Sequence, residues 1–259
     1  MNESNAKCEL PRCGVSAEDF HATIGRLHDR DVDVWQVDIA DACWDAFSDV
    51  LTLDETEKTD RFRTLKSRQY YRRFRSALRV LLARYSGQDA ADIRLRYGEF
   101  GKPELANQQL HFNVSHSGNL GVIAISLHPV GIDLELMSPL DVESGMIDVV
   151  SHPVEKPLFE RLSVSERCRL FYKLFTRKEA YCKALGVGLQ RPLCSVWVAA
   201  SPSSIGSQVH DEYSDNISPF FVYDICSTIG CAVSVCLPFS DARISLLKLE
   251  PSKISVPKS

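Results

Sequence analysis

Apolar positions along this chain change spacing several times, and each change of period predicts an element. DVDVWQVDIA, residues 31–40, alternates polar and apolar side chains and reads as a half-buried strand. Thr52 followed by Glu55 is a capping-box pattern, opening a long helical region from about Asp54 to Tyr85. Within it Phe74, Leu78, Leu81, Leu82 and Tyr85 recur at helical spacing and should face a core, and Gly87 closes the helix. DIRLRYGEFGKPEL gives a short strand and a Gly-Lys-Pro turn, and HFNVSHS, GVIAISL and VGIDLEL follow as strands. Pro139, Pro153 and Pro157 limit helix length in a looped stretch from Ser138 to Leu162. Ser165–Leu185 reads as a second long helix, closed by the glycines of LGVGL. Residues 193–199 and 219–236 read as strands, with SPSSIGSQVHDEYSDN a polar loop or hairpin between them. Residues 1–30 show no clear period, and PSKISVPKS reads as a flexible tail. Strands and helices are segregated rather than alternating, which predicts an α+β fold.

Composition changes this picture little. A chain of 259 residues allows one large domain or two of about 130, with a sound core either way. At 44% hydrophobic and 25% charged it is ordinary for a globular protein. A net charge of −4 makes no global case for nucleic acid or an anionic membrane. No apolar run reaches the ~18 residues of a membrane span, and MNESNAKCEL is acidic and polar where a signal peptide is basic, then apolar. Nine cysteines without a Cys-x-x-Cys pair read as reduced thiols of a cytoplasmic protein.

The candidate chemistry is acidic and basic side chains at short spacings. Asp133 and Glu135, at i and i+2 of a strand, leave the same face about 6–7 Å apart, while Ile132, Leu134 and Leu136 take the other. Adjacent carboxylates repel unless a cation lies between them or one is protonated, and oxygen ligands of this kind suit Mg²⁺. The bland alternative is a solvated strand face. Glu179 and Lys183, at i and i+4 of the second helix, make an ordinary surface ion pair by spacing alone. If that helix packs beside GIDLE, Glu179 supplies a third oxygen and Lys183 reaches a phosphate. Lys178 is about 100° around the helix and reads as solvated.

The first helical region carries Lys58, Arg61, Arg63, Lys66, Arg68, Arg72, Arg73, Arg75, Arg79 and Arg84, a positive concentration suited to nucleic acid, an acidic protein or a phosphorylated ligand. Lys102, after Gly101, is a compact phosphate-binding charge. Ser115 and His116 point to opposite faces if their strand is continuous, and no Gly-x-Ser-x-Gly elbow is present, so a Ser-His-Asp hydrolase is disfavoured. They read better as donors to phosphate oxygens near a metal.

FNVSHSGNLGVIAIS, then VGIDLE, then FTRKEAYCKALGVGL resemble the Sfp-type 4′-phosphopantetheinyl transferases, with GKPEL and LDETEKTDRF in support. The resemblance covers about residues 50–190, and the strand near 231–238 suits the family's last strand. It implies two similar α/β halves related by a pseudo-twofold axis, here residues 1–128 and 129–259, with the active site in the cleft between them. It further implies transfer of the 4′-phosphopantetheine arm of coenzyme A to a serine of an apo acyl or peptidyl carrier protein, releasing adenosine 3′,5′-bisphosphate. Mg²⁺, or Mn²⁺ in its place, would be held by Asp133, Glu135 and Glu179. Coenzyme A would be contacted by Lys58, Lys102, Ser115, His116, Asp133 and Lys183, with catalysis by Glu179, Lys183 and Asp133. Phe175 stands where the family commonly has tryptophan. A cytoplasmic monomer is expected, since an internal pseudo-dimer suffices, with neither nucleic acid nor membrane as partner. The rival readings are another Mg²⁺-dependent nucleotide or phosphoryl transferase, and a non-catalytic binder of acidic protein or nucleic acid.

Overall fold

The alternation in DVDVWQVD splits one strand between two cores: Val32 and Val34 face one side, Trp35 and Val37 the other. This strand, β1 (Asp31–Asp38), is the first element in a computed structural model describing residues 27–107, 110–138, 142, 144–199, 206–214, 219–226 and 230–254. A 3₁₀ segment, Ala42–Val50, packs Trp44 and Phe47 into the first core. The expected single helix is two, α1 (Leu53–Asp60) and α2 (Leu65–Ser86). Thr52 and Glu55 form the capping box of α1, while the Thr64 side chain caps α2 by accepting from Ser67 N. That second cap, inside a run rich in helix formers, breaks the region in two. Gly87 ends α2 in the left-handed conformation.

The chain continues through the hairpin of β2 (Leu95–Tyr97) and β3 (Pro103–Leu105), then β4 (His111–Ser117), β5 (Leu120–Ser126) and β6 (Gly131–Leu136). Helix α3 (Ser144–Val150) and a 3₁₀ turn, Lys156–Phe159, precede α4 (Val164–Leu185), which carries its own capping box from Ser163 and Glu166. Five strands follow: β7 (Val196–Val198), β8 (Ser207–Asp211), β9 (Phe221–Cys226), β10 (Cys231–Leu237) and β11 (Arg243–Leu249).

Two sheets result, in the orders β11-β1-β5-β4 and β6-β10-β9-β8-β7. Between them lies a core of Val32, Val34, Val122, Ile132, Leu134 and Val233, among others. The outer face of the first sheet packs on α2 through Trp35, Ile123, Phe74 and Leu78; that of the second packs on α4 through Cys236, Val222, Ala180 and Ala184. The layers are therefore helix, sheet, sheet, helix.

Several expectations are corrected. β10 is not the last strand: β11 alternates in RISLLKL and returns to pair in parallel with β1. The stretch read as a polar loop or hairpin contains β8, antiparallel to β7 and β9, in keeping with the hairpin; its residues 201–205 and 215–216 lie outside the described residues. The tail begins with a 3₁₀ turn, Pro251–Lys253, and buries Pro251 and Ile254; residues 255–259 and 1–26 lie outside the described residues. Cys231 is disulfide-bonded, against the expectation of reduced thiols throughout, although Cys43, Cys168, Cys182, Cys194 and Cys236 are free. The basic helix is also less of a surface than its charge suggests. Arg73, Arg75 and Arg79 are buried, bonded respectively to Asp45, to Glu55 and Tyr97, and to Glu55 with the carbonyls of Ala90 and Ile93.

Candidate active site

The edge strands β4 and β6 meet side chain to side chain, because alternation in FNVSHS sends Asn113, Ser115 and Ser117 to one face. Asn113 Oδ1 accepts from Ile132 N at 2.9 Å, and Ser117 Oγ accepts from Leu136 N at 3.1 Å. Ser115 Oγ donates to Asp133 Oδ1 at 2.8 Å, and Ser117 Oγ donates to Glu135 Oε2 at 3.1 Å. Asn113 and Ser117 thus satisfy backbone amides on the free edge of β6, and the two serines hold its two carboxylates.

Helix α4 lies across β6 at unusually close range. A Cβ at Gly131 would fall 1.9 Å from the Ala180 carbonyl oxygen and 2.4 Å from Ala184 N. Only a residue without Cβ permits that approach, and it brings the last turns of α4 over Asp133. Lys183 Nζ donates to Asp133 Oδ1 at 2.6 Å and to Ser115 Oγ at 3.0 Å, closing a triangle of serine, aspartate and lysine. Glu179, one turn earlier on α4, is half-buried, and its carboxyl is shifted upward by burial and by the charges of Asp133 and Glu135, with Lys183 opposing. Glu135 is likewise shifted upward, by burial and then by Asp133. The three carboxylates therefore share one electrostatic neighbourhood.

Asp133 is 4% exposed, and its Oδ2 is buried with no hydrogen-bond partner. A partnerless carboxylate oxygen in an all-oxygen donor set suits a hard cation such as Mg²⁺. Asp133, Glu135 and Glu179 fit that role in chemistry. Among the described residues no three acidic, histidine or cysteine side chains are already gathered as a metal cluster. Asp133 Oδ1 is held by Ser115 and Lys183, and Glu135 by Ser117.

The other expected residues divide. Ser115 belongs to the triangle, but His116 points to the opposite face, its ring set edge-on to Phe74 at 5.7 Å between centroids. Burial, then Lys183, lowers its pKa and favours the neutral ring. Lys102 is spent on backbone: its Nζ donates to Ala184 O at 3.0 Å and Val130 O at 3.2 Å. It thereby pins the β2–β3 hairpin to the C-terminal end of α4, where carbonyls carry negative potential. A cavity of about 180 Å³ opens beside it, lined by Phe100, Gly101, Lys102, Asn113, Lys183 and Gly186. Lys58 lies elsewhere, on a larger cavity of about 790 Å³ shared with Arg61, Arg79, Arg94 and Tyr97, its ammonium 5.6 Å from the Tyr71 ring centroid.

Sequence reasoning misplaced Lys178, which is fully buried against Glu155 rather than solvated. It also passed over Asn113 and Ser117. Their signal was available, since polar residues at i, i+2 and i+4 of a strand share one face with Ser115.

Two family models match, "4′-phosphopantetheinyl transferase, N-terminal" over residues 35–128 and "4′-phosphopantetheinyl transferase superfamily" over residues 129–221. A Synechocystis sp. protein provisionally named a 4′-phosphopantetheinyl transferase is 35% identical over 57% of this chain. The match spans 61% of that relative, short of two thirds of its length. A Bacillus subtilis 4′-phosphopantetheinyl transferase is 33% identical over 62% of this chain and 71% of its own. The 4′-phosphopantetheinyl transferase Sfp of Bacillus subtilis is 29% identical over 74% of this chain and 89% of its own.

Proposed function

The chain belongs to the 4′-phosphopantetheinyl transferase superfamily, and from that premise we propose that it transfers the phosphopantetheine arm of coenzyme A to a serine of an apo carrier protein. The observation that carries this reading is the triangle of Ser115, Asp133 and Lys183 flanked by the carboxyls of Glu135 and Glu179. Positive and negative groups are interleaved there, as a diphosphate held with a divalent cation requires. A pseudo-twofold relation of the halves is supported by two 22-residue helices, each capped by a hydroxyl side chain and ended by a left-handed glycine. The holo-acyl-carrier-protein synthase type, a cytoplasmic location and a monomeric state form part of the same reading. No helix among the described residues is long and apolar enough to cross a membrane.

In this mechanism the carrier serine attacks the β-phosphorus of coenzyme A in line, and adenosine 3′,5′-bisphosphate departs. Asp133, Glu135 and Glu179 would hold Mg²⁺ or Mn²⁺, which when bound neutralises charge building on the diphosphate. Lys183 places an ammonium at those oxygens, and Ser115 fixes the orientation of Asp133 through its hydroxyl. Glu179 would accept the serine proton, directly or through a water. Lys102 braces the wall of the adjoining cavity rather than supplying a free charge. Lys58 stands with Arg61 and Arg94 on the larger cavity, a basic setting for the 3′-phosphate end of the coenzyme.

The test is incubation with coenzyme A, Mg²⁺ and an apo carrier, read by intact mass. Transfer adds about 340 Da to the carrier as a covalent modification. An unmodified carrier, across acyl and peptidyl types, would overturn the reading. Asp133→Ala and Glu179→Ala should slow transfer by roughly two to four orders of magnitude, the range for loss of a catalytic group, while coenzyme A still binds.

A further inference from the structure

Lys183 touches two things at once. It lines the 180 Å³ cavity beside Phe100, Gly101 and Gly186, and its ammonium is bonded to Asp133, the carboxylate with one oxygen lacking a partner. Resting on the transferase reading, we infer that Lys183 is a built-in competitor of the divalent cation, and that the diphosphate of the coenzyme draws it off Asp133.

The ammonium and a dication need the same negative charge. Asp133 Oδ1 already accepts from both Lys183 and Ser115, and a dication joining Oδ2 of this carboxylate would face the lysine charge across a few ångströms of buried protein. Glu179 lies near the same charge, since Lys183 offsets part of the upward shift of its carboxyl. With the ammonium in place, the three acidic groups bind a cation less tightly than their number implies.

Lys183 is also the member of the triangle able to leave. It sits in the last turn of α4, its side chain is 27% exposed, and it hangs on a flexible four-carbon stem. A diphosphate in the adjoining cavity offers it more negative charge than one shared aspartate. Ser115 keeps its own hydrogen bond to Asp133 when the lysine departs, so the carboxylate stays oriented. Cation and diphosphate then bind cooperatively, and linkage makes the effect equal in both directions. This arrangement disfavours loading the cation before the substrate.

The experiment titrates Mn²⁺ into the full chain, with and without saturating coenzyme A, counting free Mn²⁺ by electron paramagnetic resonance. In the wild-type protein coenzyme A should tighten Mn²⁺ at least tenfold. Lys183→Met without coenzyme A should bind Mn²⁺ at least tenfold tighter than wild type, and coenzyme A should add less. Lys183→Arg keeps the charge and should behave as wild type, and circular dichroism melts of all three proteins check their folding. Lys183→Met binding Mn²⁺ no tighter than wild type, or Lys183→Arg matching Lys183→Met, overturns the inference while coenzyme-dependent Mn²⁺ binding by wild type leaves the transferase reading intact. If none of the proteins binds Mn²⁺, with or without coenzyme A, the metal site falls and the inference with it.

Discussion

Lys178 and Glu155 form an ion pair sealed from solvent: the ammonium lies 2.5 Å from Glu155 Oε2 and 2.7 Å from Val150 O, with side-chain exposures of 0% and 3%. Glu155 also accepts from His152 N and Val198 N, so one carboxylate ties together α4, the end of α3 and β7. Burial pulls the Lys178 pKa down, with Glu155 opposing. Because Lys178 directly precedes Glu179, the pair fixes which face of α4 turns toward Asp133. Removing one partner strands the other charge, which costs about 3–5 kcal/mol. Lys178→Met should therefore lose that much in urea unfolding. Adding Glu155→Gln to it should cost less than the sum of the single changes, and an additive double-mutant cycle would refute the coupling.

Gly131 makes a second, steric prediction. Its Cβ would meet helix backbone rather than a side chain that can rotate away. Gly131→Ala must push α4 off β6, separating Glu179 and Lys183 from Asp133. Overpacking of this kind costs roughly 1–3 kcal/mol, and transfer should fall even where the variant remains folded. A variant with wild-type stability and rate would show that the close approach is dispensable.

The strand of Asp133 and Glu135 was legible because it obeys two rules together: alternation fixes which side chains share a face, and Gly131 precedes the carboxylates at that spacing. Helix ends were legible where a capping residue or glycine marked them, as at Thr52 and Gly87. The break at Thr64 was obscured by the helix formers around it. Lys178 was misread because helical geometry gives its direction but not what packs there; Glu155 comes from a turn 23 positions earlier in the chain. β11 was missed because it pairs with β1 across more than 200 residues, as in the Asp31–Arg243 contact. Lys102 shows the same limit, since a Gly-Lys-Pro turn reveals a positive charge but not the two carbonyls that absorb it.

Its burial gives Lys102 a measurable signature. Burial lowers its pKa from 10.5 to about 8, with Glu104 and Cys236 opposing. Between those values the unfolded chain binds the proton and the folded chain releases it, so stability contributed by this site rises with pH. The thermal midpoint of wild type should therefore gain on that of Lys102→Met from pH 8 to 10.5. A constant difference across that window would place the ammonium in solvent instead.

Glu55 bears on the first half of the molecule. Burial favours its neutral form, but Arg75, the Thr52 amide and Arg79 outweigh this and lower its pKa. It accepts from Arg75 Nε at 2.9 Å and Arg79 Nε at 2.7 Å while also closing the capping box of α1. Glu55→Gln leaves two buried guanidiniums without a counter-charge, for a loss of about 3–5 kcal/mol. The sign with pH is opposite to that of Lys102. A depressed carboxylate contributes fully above its ordinary value of 4.5 and loses that contribution as pH falls through its lower folded value. The stability gap between wild type and Glu55→Gln should thus be widest at neutral pH and shrink on acidification below 4.5, as read by urea unfolding. A gap that persists at low pH would assign the role of Glu55 to packing and its cap rather than to charge.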